Sequence, residues 1–383
     1  MHLLRPLAAA LLIASAACAS AATPRPAPVR PASARPATAV VDTGTLNGAP
    51  YRIEIPAGWN GGLVMYAHGY EVVGTPFQPD LPRMAGWRQA FTSRGFAFAQ
   101  SGYRANGWAV REGIEDTEAL RRHFVARHGA PDSTFVTGIS MGGLITIATI
   151  EGQPEAYDGA LALCGILSPA IDAMRGRMFD VLVTFDHLYP GVLSTTPGGL
   201  ADLHAPIPPR DVLAAAVRAS PAGAEALGRR YAVRPESVPG LVWFYAVILR
   251  ELQQRAGGNP FDNRGSAYHG VGVDSAVNRG VRRYAADAGA VAYLRDRFSP
   301  TGRIADPVLA VHTTYDAVVE PEQMDRYRAL TQLAGTADRF AASYVQADGH
   351  CAFTPAHLGA AFDALRSWAA TGTRPAEGEI RAP

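Results

Sequence analysis

Apolar residues recur along this chain in two patterns, one that suits β-strands and one that suits α-helices. Short apolar or alternating runs that predict strands occupy residues 51–56, 63–67, 96–100, 134–139, 159–164, 307–313 and 342–346. Longer stretches with helical spacing occupy residues 113–128, 141–152, 320–333 and 355–370. Because apolar strands that alternate with helices are buried on both faces, this order predicts an α/β fold with a mostly parallel sheet and helices on both faces.

A long internal segment interrupts this alternation. Helical patterns within residues 166–305 cover 211–219, 241–255 and 276–288, and glycine and proline are frequent between them. Since connections of this length are uncommon unless they serve a function, we interpret the segment as a helical cap inserted over the sheet. The core is then expected at residues 41–165 and 306–372, and residues 373–383 are expected to form a flexible tail.

The first 40 residues have the pattern of an export signal followed by a linker. Arg5 precedes an apolar run at residues 7–17, and the small residues Ala17 and Ala19 then flank Cys18. This run is too short to span a bilayer, so residues 1–19 predict a signal peptide and a secreted or periplasmic protein without a transmembrane anchor. Acylation of Cys18 is the alternative. Residues 20–40, rich in Pro, Arg and Ala, predict a disordered linker.

The composition removes several kinds of chemistry. The chain contains no lysine, and its 35 basic residues are all arginine. Lysine-dependent Schiff bases, Walker-type phosphate loops and Ser-Lys dyads are therefore excluded. A formal net charge of +1 argues against a nucleic-acid partner. The histidines show no metal-ligand spacing and no glycine-rich phosphate fingerprint follows the first strand, so we expect neither a metal nor a cofactor.

A serine stands between glycines where a predicted strand meets a predicted helix. The segment Gly138-Ile139-Ser140-Met141-Gly142 matches the pattern G-x-S-x-G. A nucleophile elbow needs this strand–turn–helix context, because the glycines permit a sharp turn and leave room around the serine oxygen. We therefore predict that Ser140 is a catalytic nucleophile, and a simple glycine turn before a helix is the alternative.

A serine nucleophile needs a base and an orienting carboxylate, and candidates for both follow the last two predicted strands of the core. Asp316 comes directly after the strand at 307–313, and His350 follows the strand at 342–346. The carboxyl ends of parallel strands share one edge of a sheet, so both are expected beside Ser140. His357 is the rival base, and Glu320 and Asp348 are rival acids.

Two backbone amides are candidates for stabilising an oxyanion. Met141 directly follows the nucleophile, and Tyr70 lies in the Ala67-His68-Gly69-Tyr70 loop after an early strand. The side chain of His68 is expected to brace this loop rather than to titrate during catalysis. Residues that could line a substrate pocket, with core packing as the alternative for the aromatic ones, are His68, Trp87, Tyr103 and Trp108.

Together these motifs resemble the α/β-hydrolase family over residues of about 43 to 370. The resemblance implies an eight-stranded, mostly parallel sheet, a Ser-His-Asp triad and a cap inserted after the sixth strand. The stretch Gly349-His350-Cys351 also resembles the His-Cys pair of tannase and feruloyl-esterase relatives. Those relatives carry a second cysteine immediately before the nucleophile, where this sequence has Ile139.

Two cysteines remain if the predicted signal peptide is removed. Cys164 ends a strand on the predicted catalytic edge, and Cys351 is adjacent to His350. In an oxidising compartment such a pair predicts a disulfide that holds the His350 loop, and two buried free thiols are the alternative.

The motifs favour an exported serine hydrolase that cleaves a small carboxylic ester. Two other hypotheses remain open. The first is a peptidase of the prolyl type, with acidic residues of the cap such as Asp180, Asp186 and Glu251 anchoring a free terminus. The second is a hydrolase-like domain that binds without catalysis. The sequence leaves the oligomeric state open.

Overall fold

The computed structural model describes residues 37–381, and their centre is a β-sheet. The predicted signal peptide, Cys18 and residues 20–36 of the predicted linker lie outside the described residues. Within the described part the sheet has nine strands: β1 Val40–Leu46, β2 Ala49–Ile55, β3 Gly62–Ala67, β4 Ala97–Ser101, β5 Ser133–Ile139, β6 Gly159–Leu163, β7 Val308–Tyr315, β8 Phe340–Asp348 and β9 Gly378–Glu379.

The strand order is β1-β2-β4-β3-β5-β6-β7-β8-β9. The β1–β2 and β2–β4 pairs are antiparallel, and the other pairs are parallel. Every residue of β3, β4 and β6 is buried, which explains the continuous apolar sequences of β3 and β6; β4 is apolar except for Gln100 and Ser101. The predicted mostly parallel α/β sheet is therefore confirmed.

Helices cover both faces of the sheet. Within residues 37–381 they are α1 Pro82–Thr92, α2 Val110–His128, α3 Met141–Gly152, α4 Ala170–Met174, α5 Asp180–Leu188, α6 Arg210–Ala219, α7 Pro221–Tyr231, α8 Val238–Ala256, α9 Asp274–Gly280, α10 Ala288–Arg297, α11 Gln323–Ala334 and α12 Pro355–Thr371. A π-helical segment, Arg175–Phe179, joins α4 to α5. None of the helices in this described range is long and apolar enough to cross a membrane.

The segment between β6 and β7 contains α4 to α10. Its apolar side chains form one continuous cluster with the face of the sheet that α2 and α3 cover. The opposite face packs against α1 and α12 in a second cluster. The inserted segment therefore shares the core of the sheet, and its helices lie over the edge that carries Ser140.

The sheet has one strand more than the eight expected. Residues 378 and 379, which the sequence pattern assigned to a flexible tail, pair as β9 with β8. The amide of Ile380 donates to the carbonyl of Tyr344 at 2.7 Å, and Glu377 is ion-paired with Arg328 at 2.8 Å. These contacts hold the segment against the sheet edge.

The prediction of one helix over residues 276–288 is wrong. Helix α9 ends at Gly280, and residues 281–287 are not helical before α10 begins. The side chain of Asn263 bonds the carbonyl of Arg282 at 3.0 Å and the amide of Tyr284 at 2.6 Å. Because Asn263 holds backbone groups that a continuous helix would need, the chain leaves the helix here.

Candidate active site

Ser140 lies on a sharp turn between β5 and α3. Its φ and ψ angles are 56° and −121°, a backbone conformation that residues with side chains rarely adopt. The flanking glycines make this turn possible. A Cβ atom at Gly142 would stand 2.0 Å from the carbonyl oxygen of Ala67, and one at Gly138 would stand 2.3 Å from the carbonyl oxygen of Gly142. The turn therefore has the form of a nucleophile elbow.

The structure brings the three predicted triad residues together at the carboxyl edge of the sheet. His350 Nε2 lies 2.8 Å from Ser140 Oγ. On the other side of the ring, His350 Nδ1 lies 2.7 Å from Asp316 Oδ2. If Nδ1–H donates to the carboxylate, Nε2 is left as an acceptor facing the hydroxyl of Ser140. This is the hydrogen-bond chain that lets a serine lose its proton to a base.

Asp316 is held as a buried carboxylate. Its Oδ1 atom accepts the amides of Val318 at 2.8 Å and Val319 at 3.1 Å, while Oδ2 faces His350. Burial alone would raise the pKa of Asp316, but the hydrogen bond from His350, the charges of His350 and His312, and the Val319 amide together lower it. Asp316 is therefore ionised at neutral pH.

The rival residues have other partners. His357 is the third residue of α12 and forms a capping box with Thr354. Asp348 is ion-paired with Arg234 at 2.5 Å, and Glu320 is ion-paired with Arg326 at 3.0 Å. The observed partners of all three lie outside the Ser140–His350–Asp316 chain.

Two residues of the inserted segment hold the loop that carries Asp316, and sequence analysis did not identify either. Arg177, in the π-helical segment, donates to the carbonyl of Ala317 at 2.7 Å. Tyr245, on α8, donates to the carbonyl of Val318 at 2.6 Å. π-helical turns occur frequently at functional sites, but the sequence alone does not reveal one. The inserted segment thus holds the loop that carries Asp316.

The two predicted oxyanion donors flank Ser140. Met141 is the first residue of α3, so its amide has no carbonyl in a preceding helical turn to bond. The loop with Gly69 and Tyr70 packs against the elbow, since a Cβ atom at Gly69 would stand 3.3 Å from Ser140 Cβ. A glycine is needed at this close approach to Ser140, and Tyr70 follows it directly in the chain.

His68 occupies the position expected of a bracing residue. Its Nδ1 atom lies 2.8 Å from the carbonyl oxygen of Gly69, and its ring stacks on Tyr103 with centroids 3.8 Å apart. Burial lowers the pKa of His68 to about 4. The ring is therefore neutral near pH 7, and it supports the Gly69 loop by packing and hydrogen bonding.

The predicted disulfide between Cys164 and Cys351 is present. Cys164 directly follows β6 and Cys351 directly follows His350, with Cα atoms 5.5 Å apart. The amide of Cys164 also donates to Val311 of β7 at 2.9 Å. The bond therefore ties the loop of the base to the central strands beside the nucleophile.

Removing this disulfide is expected to lower both stability and turnover. For Cys164→Ser/Cys351→Ser we expect the free energy of unfolding to fall by about 2–5 kcal/mol, because a long loop is released in the unfolded chain. We also expect a lower kcat, since His350 loses its covalent tether. Urea denaturation and ester turnover measure the two effects. Reductant should impair the wild type and leave the double variant unaffected; equal stability of the two proteins would contradict the prediction.

Two cavities meet at Ser140. The first, called the inner cavity, lies beneath the inserted segment and has a mostly apolar lining that includes Trp108, Met141, Ile166, Met174, Met178, Phe244 and Ile248. The second, called the outer cavity, has a lining that includes Tyr66, His68, Glu71, Arg83, Gln100 and His350. Tyr70 and Ser140 border both cavities.

The predicted pocket residues divide between these cavities and the core. Trp108 lines the inner cavity and His68 lines the outer one. Trp87 packs in the second cluster, edge-to-face with Tyr66, and Tyr103 is buried against His68. For Trp87 and Tyr103 the core-packing alternative therefore describes the structure. Within residues 37–381 no group of three or more His, Cys, Asp or Glu side chains is arranged to hold a metal ion.

Comparison with known proteins gives similarity in structure only. No protein-family model and no curated protein matches the chain. Feruloyl esterase B from Aspergillus oryzae is 12% identical with a TM-score of 0.51, over 88% of this chain and 82% of that one. Acylaminoacyl peptidase from Pyrococcus horikoshii is 12% identical with a TM-score of 0.45, and the similarity covers 86% of this chain but 41% of the peptidase. Brefeldin A esterase, a bacterial homologue of human hormone-sensitive lipase, is 16% identical with a TM-score of 0.43, over 92% of this chain and 79% of the esterase.

The fold and the site define the class of this protein. It is an α/β protein whose mostly parallel sheet carries an elbow serine, a histidine and a buried aspartate on one edge. This is the α/β-hydrolase fold, as the sequence motifs predict and as the structural similarity to feruloyl esterase B shows.

Proposed function

We propose that this protein is a serine hydrolase that cleaves carboxylic esters through an acyl-enzyme. Ser140 Oγ attacks the acyl carbon while its proton passes to His350 Nε2. His350 then gives this proton to the oxygen of the leaving alcohol, and the ester C–O bond breaks. His350 then takes a proton from water as the water attacks the acyl-enzyme. The bond between the acyl carbon and Ser140 Oγ breaks, His350 returns the proton to Oγ, and the acid leaves. The amides of Met141 and Tyr70 stabilise the oxyanion in both halves of the reaction.

The continuous hydrogen-bond chain from Ser140 to Asp316 carries this proposal. Distances of 2.8 Å and 2.7 Å on the two sides of His350 are those of working hydrogen bonds. A domain that only binds ligands has no need of a buried carboxylate aligned through a histidine with a serine in a rare backbone conformation. This geometry therefore favours catalysis over the non-catalytic alternative.

The two cavities suggest where each half of the ester lies. The leaving oxygen must come within hydrogen-bonding reach of His350, because His350 supplies its proton. His350 lines the outer cavity and is not among the residues that line the inner cavity. We therefore assign the alcohol to the outer cavity and the acyl chain to the inner cavity.

The three acidic residues of the cap that the sequence offers as anchors for a free terminus have partners elsewhere. Asp180 accepts from Tyr268 at 3.0 Å, and Asp186 accepts the amide of Ser194 at 2.9 Å. Glu251 accepts the amide of Trp108 at 2.8 Å and pairs with Arg255 at 2.7 Å. None of the three lines either cavity at Ser140. These contacts favour an ester over a peptide with a free terminus.

Export is part of the proposal. The Cys164–Cys351 disulfide suits an oxidising compartment, which is where a signal peptide at residues 1–19 would direct the chain. Residues 166–305 act in this proposal as the cap that closes the inner cavity over Ser140.

The apolar inner cavity leads to a prediction about acyl length. We expect kcat/KM for p-nitrophenyl hexanoate to exceed that for the acetate on the order of 10-fold to 100-fold, because each buried methylene contributes about 0.8 kcal/mol. Ile248→Trp fills the cavity from α8, so the hexanoate-to-acetate ratio should fall about 10-fold. Thermal unfolding of the variant checks that it folds.

The same two p-nitrophenyl esters also test the proposed esterase activity. The p-nitroanilides of the two acids should be turned over far more slowly than the esters. A wild-type protein that is folded and hydrolyses none of these esters would contradict the proposed function, whereas an amide preference would favour the peptidase alternative.

A further inference from the structure

The outer cavity contains polar side chains whose hydrogen-bonding groups have no adequate partner in the protein. Gln100, on β4, is 4% exposed, and its Oε1 atom has no hydrogen-bond partner among the described residues. Tyr66, on β3, is 2% exposed, and within residues 37–381 its hydroxyl reaches only the sulfur of Met84 at 3.9 Å, a weak acceptor. In the same cavity His68 Nε2 and the Tyr70 hydroxyl also have no partner in this range. Buried polar groups are normally satisfied, so several such groups in one cavity call for an explanation.

Two of these residues are neighbours on adjacent strands. Tyr66 and Gln100 are register partners in the parallel β3–β4 pair, and both line the outer cavity. The Tyr66 hydroxyl is a donor, and the Gln100 carbonyl oxygen is an acceptor. A hydroxyl group both accepts and donates hydrogen bonds, so one hydroxyl of a ligand could satisfy both side chains at once.

Glu71 adds a second acceptor to the same cavity. Its side chain is 30% exposed, and its contacts are long: 3.5 Å to the amide nitrogen of Asn106 and 3.8 Å to His68. Partial burial raises the pKa of Glu71, because the carboxylate is partly removed from water. A donor from a ligand would stabilise it.

An exposed cationic side chain in the same lining limits what this ligand can be. Arg83 lines the outer cavity and forms no ion pair with any residue in the range 37–381. Its uncompensated positive charge disfavours a cationic amino alcohol, even though Glu71 alone would attract one. A neutral ligand with several hydroxyl groups fits the donors, the acceptors and the charge together.

We propose that the alcohol half of the substrate is a neutral polyhydroxylated alcohol, a polyol or a sugar, and that Gln100 and Tyr66 bind it in the outer cavity. This inference rests on the proposed esterase function and on the placement of the leaving alcohol beside His350. Gln100 and Tyr66 thereby determine which alcohols the site accepts. Gln100 and Tyr66 bind hydroxyl groups of the alcohol, while Ser140 and His350 carry out the bond cleavage.

The test compares two hexanoate esters that share the acyl group. One carries the hexanoyl group on the 6-hydroxyl of methyl glucoside, and the other is cyclohexylmethyl hexanoate, which has a ring of similar size without hydroxyls. We expect wild-type kcat/KM to favour the glucoside ester by about 10-fold or more, because unpaired polar groups in the site disfavour the apolar ring. Gln100→Leu and Tyr66→Phe should each reduce this ratio by about 10-fold.

The controls separate specificity from folding and from the basic reaction. Gln332→Leu changes an exposed glutamine on α11, outside both cavities, and should leave the ratio unchanged. Tyr66→Phe removes one hydroxyl whose only partner is a sulfur, so it keeps the test valid if Gln100→Leu fails to fold. A wild-type ratio near one, or variants that lower both esters equally, would overturn this inference while leaving the esterase function intact. Absence of Ser140-dependent turnover of p-nitrophenyl hexanoate would overturn the function as well.

Discussion

Ser140→Ala is expected to reduce ester kcat by a factor on the order of 10⁵ to 10⁶, the loss typical when a triad nucleophile is removed. The substitution deletes only the oxygen that forms the acyl-enzyme, which lies 2.8 Å from His350 Nε2. Alanine retains the Cβ atom, so the backbone at φ 56° keeps the same steric demand. Initial rates with p-nitrophenyl hexanoate measure the effect.

Covalent labelling supplies an independent readout for the same variant. A fluorophosphonate should label the wild type at Ser140 and fail to label Ser140→Ala. The thermal midpoints of the two proteins should agree within a few degrees, which shows that the fold is retained. Equal ester turnover by both proteins would refute the mechanism, and labelling of another serine would identify a different nucleophile.

The proximity of the three candidate triad residues could be predicted from sequence because parallel strands impose a simple geometric rule. Residues that directly follow β5, β7 and β8 must share one edge of the sheet, whatever the rest of the chain does. Ser140, Asp316 and His350 each follow one of these strands within a few residues. The same rule placed Cys164 and Cys351 near each other. Local pattern and topology were sufficient for these five residues.

The surroundings of Ser140, His350 and Asp316 could not be predicted, because they depend on how separate elements pack. Arg177 and Tyr245 contact the Asp316 loop only because the inserted segment folds back over β7, and no spacing in the sequence reports that contact. Trp87 and Trp108 both follow early strands, yet α1 turns Trp87 into the second core cluster while Trp108 reaches the inner cavity. In the sequence, Gln100 is one polar residue in an apolar strand. Only the structure shows that its Oε1 atom has no hydrogen-bond partner among residues 37–381.

The helix that was wrongly predicted over residues 276–288 has a related cause. The periodicity of this stretch is helical, but periodicity measures only the pattern of apolar positions. The Asn263 side chain competes for the backbone groups of Arg282 and Tyr284, and it lies 19 and 21 residues away in sequence. Tertiary hydrogen bonding overrode local preference at this position.

Asp316→Asn is expected to lower kcat by about 10⁴-fold, although it changes neither the size nor the shape of the side chain. Asp316 Oδ1 accepts two amides, those of Val318 and Val319, so the carbonyl oxygen of an asparagine would take this position. Its NH₂ group would then face His350 Nδ1 and donate to it. His350 would be forced into the tautomer with hydrogen on Nε2, which cannot accept the proton of Ser140.

A neighbouring aspartate gives the matched control for this prediction. Asp348 is two residues from His350 but is paired with Arg234 at 2.5 Å, so Asp348→Asn should change kcat less than about twofold.

The pH dependence gives a second readout. Because the pKa of Asp316 is lowered, the wild-type carboxylate is charged throughout the neutral range. Raising the pH cannot restore a charge that asparagine lacks. Turnover measured from pH 6 to pH 9 should therefore stay low for Asp316→Asn. Retention of more than a tenth of wild-type activity would show that another carboxylate, with Glu320 the nearest rival in sequence, orients the base.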